Sequence, residues 1–171
     1  MPANLSVLVG KNFACVKIAG RANFCSSPDF KTLMNELAQK NYCHFIIDLT
    51  ECVLMDSTFL GVLAGFGLKF NSPQADKVDR GIQLFNPNSR IAELLENLGV
   101  LHLFKVVEGD CNAPGGATEV QNSNASREQV TGTCLDAHKT LMNINPENVT
   151  RFKDVTAFLA EDLKRMKAAG Q

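Results

Sequence analysis

The chain has 171 residues, 45% of them hydrophobic, which suffices for one well-filled core and an extension but not for two full domains. Its 17 basic and 18 acidic residues leave a formal net charge of -1 with no long run of one sign, excluding the basic footprint of a nucleic-acid-binding protein. The longest apolar region, residues 52–70, is broken by Asp56, Ser57, Thr58 and three glycines, which marks a buried helix rather than a membrane insertion.

Residues 1–10 read as a strand-sized apolar stretch, not as a cationic and apolar leader. Residues 5–9 and 13–19 are rich in Val, Ile and Phe and flank Gly10-Lys11-Asn12, the pattern of an opening hairpin. After a turn at Gly20, Ser26-Ser27-Pro28-Asp29 offers a hydroxyl N-cap, a first-turn proline and a carboxylate. Phe30, Leu33, Met34 and Leu37 then recur at helical spacing. Residues 44–49 are nearly continuous in apolar side chains, as in a central strand covered on both faces. A second helix is expected from about Ser57.

Residues 71–80, polar and containing Pro73, predict a loop before a strand at 81–85. Asn86-Pro87-Asn88-Ser89 can cap a third helix whose face is Ile91, Leu94, Leu95 and Leu98 and whose stop is Gly99. Residues 101–107 supply a fifth strand. The resulting β-β-α-β-α-β-α-β order predicts an α/β fold with an open mixed sheet of about five strands and crossover helices, spanning residues 1–109. Residues 110–126 turn to Asn, Gly, Ser, Ala and Pro and read as a flexible linker. Beyond it, Val130, Cys134, His138 and Leu141, then Phe152, Val155, Leu159, Leu163 and Met166, form two helical stripes around Asn145-Pro146-Glu147. Residues 127–171 are therefore expected to form a C-terminal α-helical hairpin, packed on its own domain or on a neighbouring copy. Lys164, Arg165 and Lys167 suit the negative end of its second helix dipole.

Six cysteines (Cys15, Cys25, Cys43, Cys52, Cys111 and Cys134) show neither a C-x-x-C pair nor histidines at ligand spacing, so no zinc site is expected. Unclustered cysteines in apolar segments read as small core residues in a reducing cytosol. An enzyme would need Ser57 as nucleophile with His44, His102 or His138 as base. No Gly-x-Ser-x-Gly elbow exists, and these histidines lie in or near apolar faces, where a structural role is the better reading. The absence of a Walker-type loop and of Gly-x-Gly-x-x-Gly leaves no cofactor expected.

The segment from Asp48-Leu49 to Met55-Asp56-Ser57-Thr58-Phe59-Leu60-Gly61 places hydroxyls and a carboxylate at the mouth of an apolar helix. On physics alone Asp56 or Ser57 is an N-cap, with Ser57 accessible. The segment also resembles the motif of the STAS family (sulphate transporter and anti-sigma factor antagonist), a strand ending in Asp-Leu followed by a Met-Asp-Ser-Ser/Thr-Gly-Leu-Gly-like turn. The likeness extends through Leu84-Phe85-Asn86-Pro87, Ile91-Ala92-Glu93-Leu94-Leu95 and Leu98-Gly99-Val100. Phe59 departs from it, standing where the family usually has glycine and, on this reading, beside the phosphoacceptor.

The resemblance implies a non-enzymatic, cytoplasmic anti-sigma factor antagonist that regulates transcription by partner switching. Ser57 would be the phosphorylation site, with Thr58 the second candidate acceptor. Asp56, Ser57, Thr58, Phe59, Leu60, Gly61 and Arg21 would form the partner-binding surface. The implied partners are an anti-sigma factor serine kinase and a serine phosphatase, with homodimer formation left open. The alternative implied by the same resemblance is a non-switching STAS adaptor in a transporter or stressosome-like assembly.

Overall fold

A computed structural model describes residues 3–70, 80–110 and 116–170. The expected loop at 71–79 and Cys111 lie outside the described residues. The elements follow the order β1 (Asn4–Val9), β2 (Ala14–Ala22), α1 (Ser27–Gln39), β3 (His44–Asp48), β4 (Cys52–Met55) and α2 (Ser57–Phe70). Then come β5 (Gly81–Phe85), α3 (Ser89–Asn97), a 3-10 turn (Leu101–Leu103), β6 (Lys105–Val107), β7 (Thr118–Glu119), α4 (Arg127–Ile144) and α5 (Glu147–Ala169).

The fold is the expected mixed α/β sheet with crossover helices and two C-terminal helices, but the described residues hold seven strands rather than about five. Their order is β6-β5-β3-β2-β1-β7, with β4 beside β2. The β1–β2 hairpin is antiparallel, and β2, β3, β5 and β6 run parallel, as crossover helices require. The long β2 serves two neighbours: Ala14 to Lys17 pair with β3, and Gly20 to Ala22 pair with β4 across a register shift. Gly20 adopts φ +91 there, a conformation open to glycine at no steric cost.

Two expectations are corrected at the far edge and in the linker. Residues 101–103 wind into a 3-10 turn, so β6 is only three residues long. Within the segment read as a linker, β7 pairs with β1, the Val120 amide donates to Leu5 O, and the Ser123 hydroxyl donates to Asp29. The open edge of β1, with unpaired backbone groups to satisfy, recruits this polar stretch without any side-chain signal.

Helix capping follows the sequence at α3, where Asn88 Oδ1 accepts from the Ile91 amide and Gly99 ends the segment at φ +69. At α1 it differs: Ser26 Oγ accepts from the Ala3 amide, tying down the first strand instead of capping the helix. The core gathers Phe30, Phe45, Ile47, Leu60, Leu63, Leu84 and Leu95 between sheet and helices.

α2 buries residues all round its circumference, including Thr58, Gly61, Val62, Ala64 and Gly67, so it needs cover on the face turned away from the sheet. α4 provides that cover. At Gly61 the two helices approach so closely that an added Cβ would lie 2.5 Å from the Ala137 carbonyl oxygen. At the other end of the hairpin, buried Asn148 donates to Leu98 O and Leu141 O, and Arg151 donates to Asn97 O. α5 packs through Phe152 and Thr156, while Val155, expected in its apolar stripe, is exposed. The rest of the expected stripe, Phe152, Leu159, Leu163 and Met166, is half-buried, and Thr156 takes the buried place beside Val155.

Candidate functional site

The site is built at the join of β4 and α2. The Asp56 amide donates to Ala22 O, continuing the β4–β2 pairing to its last residue. Asp56 Oδ1 accepts from the Phe59 amide at 2.8 Å, the N-cap bond that the sequence predicts, and Oδ2 accepts from the Phe24 amide at 2.7 Å. One carboxylate thus joins the loop after β2 to the start of α2. Burial pushes the Asp56 carboxyl up from its ordinary value, opposed by these two amides and by the nearby His138 ring.

Ser57 is the first residue of α2 and is half-buried, not open as expected from the sequence. Its hydroxyl lies 2.9 Å from His138 Nε2. His138 Nδ1 lies 2.7 Å from the Cys134 carbonyl oxygen, which can only accept, so Nδ1 carries a proton. In the neutral ring Nε2 is then the acceptor and Ser57 the donor. His138 is 6% exposed, and its ring meets the Phe152 edge at 4.8 Å. The reading of His138 as structural is correct in its burial but misses its partner, a residue 81 positions away.

Thr58 is buried, its hydroxyl donating to the Cys134 sulfur at 3.6 Å, and burial pushes the Cys134 thiol up. Phe59 does not lie beside the hydroxyl of Ser57 as a surface residue. It is fully buried, with its ring stacked 4.6 Å from that of Phe30. Leu60 is likewise in the core, and Gly61 lies under α4. Arg21 is exposed on β2 opposite Leu54. Phe24, whose amide bonds Asp56, is 47% exposed, and Val53, three residues before Asp56 on β4, is 53% exposed.

Of the other histidines, His102 is exposed and His44 is half-buried, both remote from Ser57 in the fold's element order. Cys15 and Cys52 are buried as expected of core cysteines, whereas Cys25 and Cys43 are exposed. Among the described residues no group of three His, Cys, Asp or Glu could hold a metal ion, and no helix is long and apolar enough to cross a membrane.

A mixed sheet with crossover helices, carrying an acid-capped Ser-Thr helix start beside its second parallel pair, defines a class of small α/β domain. The STAS domain family model matches residues 4–109, and the chain belongs to that family. Among solved structures, it is similar to a protein from Thermotoga maritima provisionally assigned as an anti-sigma factor antagonist. The identity is 18% and the TM-score 0.51, covering 58% of this chain and 82% of that one. It is also similar to an anti-sigma factor antagonist from Mycobacterium paratuberculosis, with 14% identity, TM-score 0.49, and coverage of 60% and 82%. The unphosphorylated form of the anti-sigma factor antagonist SpoIIAA gives 13% identity, TM-score 0.47, and coverage of 62% and 89%. Among curated proteins, no relative matches the chain by sequence.

Proposed function

We propose that the chain is a partner-switching antagonist of an anti-sigma factor, controlled by phosphorylation of Ser57. The observation that carries this reading is the placement of Ser57 at the first position of α2, immediately after an acid cap held by two backbone amides. A phosphate there adds about 1.5 to 2 negative charges beside Asp56. The helix N-terminus stabilises it, so the surface gains negative charge while the core stays folded.

Exposed Phe24, joined to Asp56 through its amide, provides the apolar contact that a docking partner needs beside a charge switch. The partners are a serine kinase that doubles as anti-sigma factor and a phosphatase that resets the site. The chain acts in the cytoplasm and has no catalytic role of its own. Capture of such a kinase from an extract of the native cells by the wild-type chain, and its loss on Ser57→Asp at unchanged melting temperature, is the expected result. Equal capture by both overturns the charge switch.

A non-switching adaptor is the second reading, and the cover of α4 over Ser57 favours it. An adaptor would carry no phosphate under any growth condition.

A further inference from the structure

The C-terminal hairpin meets the candidate switch at its most sensitive atom. His138 Nε2 takes the Ser57 hydroxyl proton in a hydrogen bond, Cys134 takes that of Thr58, and Ala137 sits against the backbone of Gly61. These three α4 residues cover one face of the first two turns of α2 and leave Ser57 half-buried beside them. We infer that the α4–α5 hairpin is a built-in competitor for the Ser57 face, and that its docked position and a phosphate on Ser57 exclude each other. This inference rests on the reading of Ser57 as phosphoacceptor.

The exclusion follows from donor chemistry. Phosphoryl transfer from a nucleoside triphosphate forms the Oγ–P bond, breaks the anhydride bond to the leaving diphosphate, and sends the hydroxyl proton to a base. The ester oxygen that remains has no hydrogen to donate, so the neutral Nε2, which accepts, loses the serine donor it has. The added charge also follows directly on Asp56, whose carboxylate already accepts from the Phe59 amide at the helix start. α4 has no slack to absorb them locally, because the Gly61 contact is with Ala137 backbone rather than with a movable side chain.

The hairpin is a unit in which α4 and α5 pack on each other. α4 carries its own capping box, Ser126 with Gln129, and its ion pair to α1, Lys31–Asp136 at 3.7 Å, is exposed. Its buried anchor Asn148 keeps one amide oxygen without a partner among the described residues.

The test is hydrogen exchange on the full chain with phosphoserine installed at position 57 during synthesis, compared with the unmodified chain. We expect α4 amides to exchange about tenfold faster or more, with β3 and β5 unchanged, as local release of one unit requires. Unchanged or slower exchange in α4 would mean that a protonated His138 accommodates the phosphate, and overturns the inference. Equal acceleration in α4 and β3 overturns it too, since the hairpin would then not be a separable unit. His138→Ala should loosen α4 in the same direction, and full protection in that variant removes the clamp assigned to His138. Because the phosphate is installed and not enzymatic, a finding that native cells never modify Ser57 would end the functional reading and leave this result standing.

Discussion

The same substitution one helical turn apart should have opposite signs. At Gly65, an added Cβ meets only Thr140 Cγ2 at 3.8 Å, an ordinary contact. Gly65→Ala therefore keeps the advantage of removing a flexible residue from a helix interior, about 0.5–1 kcal/mol. At Gly61, the added Cβ lies 2.5 Å from Ala137 O, 2.7 Å from Ala137 Cβ and 2.8 Å from Ala137 C. Two of these atoms are backbone, so α4 must retreat by about an ångström to restore contact in a close-packed interior. Overpacking of this kind costs about 1–3 kcal/mol, which exceeds the helix gain and leaves Gly61→Ala destabilised by about 1 kcal/mol. Urea unfolding of both variants, with hydrogen exchange to localise the loss to α4, measures the difference. For a chain of this size about 1 kcal/mol moves the melting temperature by about 2–4 °C, readily resolved. A Gly61→Ala chain as stable as Gly65→Ala would refute the close helix approach.

Asp56→Asn leaves one oxygen for two amides, those of Phe59 and Phe24, and should cost about 1–2 kcal/mol in urea unfolding. Because burial raises the native Asp56 carboxyl above 3.8, the folded state holds that proton more tightly than the unfolded chain. The stability difference between wild type and Asp56→Asn should therefore shrink as pH rises from 3.8 through the raised native value; a difference that grows would contradict the burial. Phe59→Ala should cost about 3–5 kcal/mol by losing the ring packed on Phe30, whereas a surface partner contact would leave the melting curve unmoved. Asn148→Ala removes both donors that tie Leu98 O to Leu141 O and should cost about 1–3 kcal/mol, read as faster exchange at α5 before any change in β3.

Much of the sheet was legible because its strands are short, β-branched and apolar, and because Gly20, Asn88 and Gly99 punctuate it in the positions that their chemistry favours. β4 was hidden because Cys52 to Met55 runs straight into the apolar helix, with only Asp56 to part them. β7 was hidden for the opposite reason: a two-residue strand held by backbone pairing needs no apolar side chain.

At the site, Asp56 as cap could be read from its position before a helix, since capping is local. The partner of Ser57 could not, because His138 reaches it only after the chain has crossed the sheet and returned. Two signals did exist. An α2 apolar on every face demands a cover, and a histidine within the stripe of Val130, Cys134 and Leu141 must find a polar partner when buried. The inward turn of Phe59 follows from the same demand, its ring stacking on Phe30 beside the edge contact that Phe66 makes with it.

The most direct measurement is phosphopeptide mass spectrometry on the protein purified from its native cells, across growth and stress conditions, on the peptide containing Ser57 and Thr58. Phosphate is expected on Ser57, with an occupancy that changes with condition, and none on Thr58, whose hydroxyl is buried against Cys134. A Ser57 unmodified under every condition would contradict the charge switch.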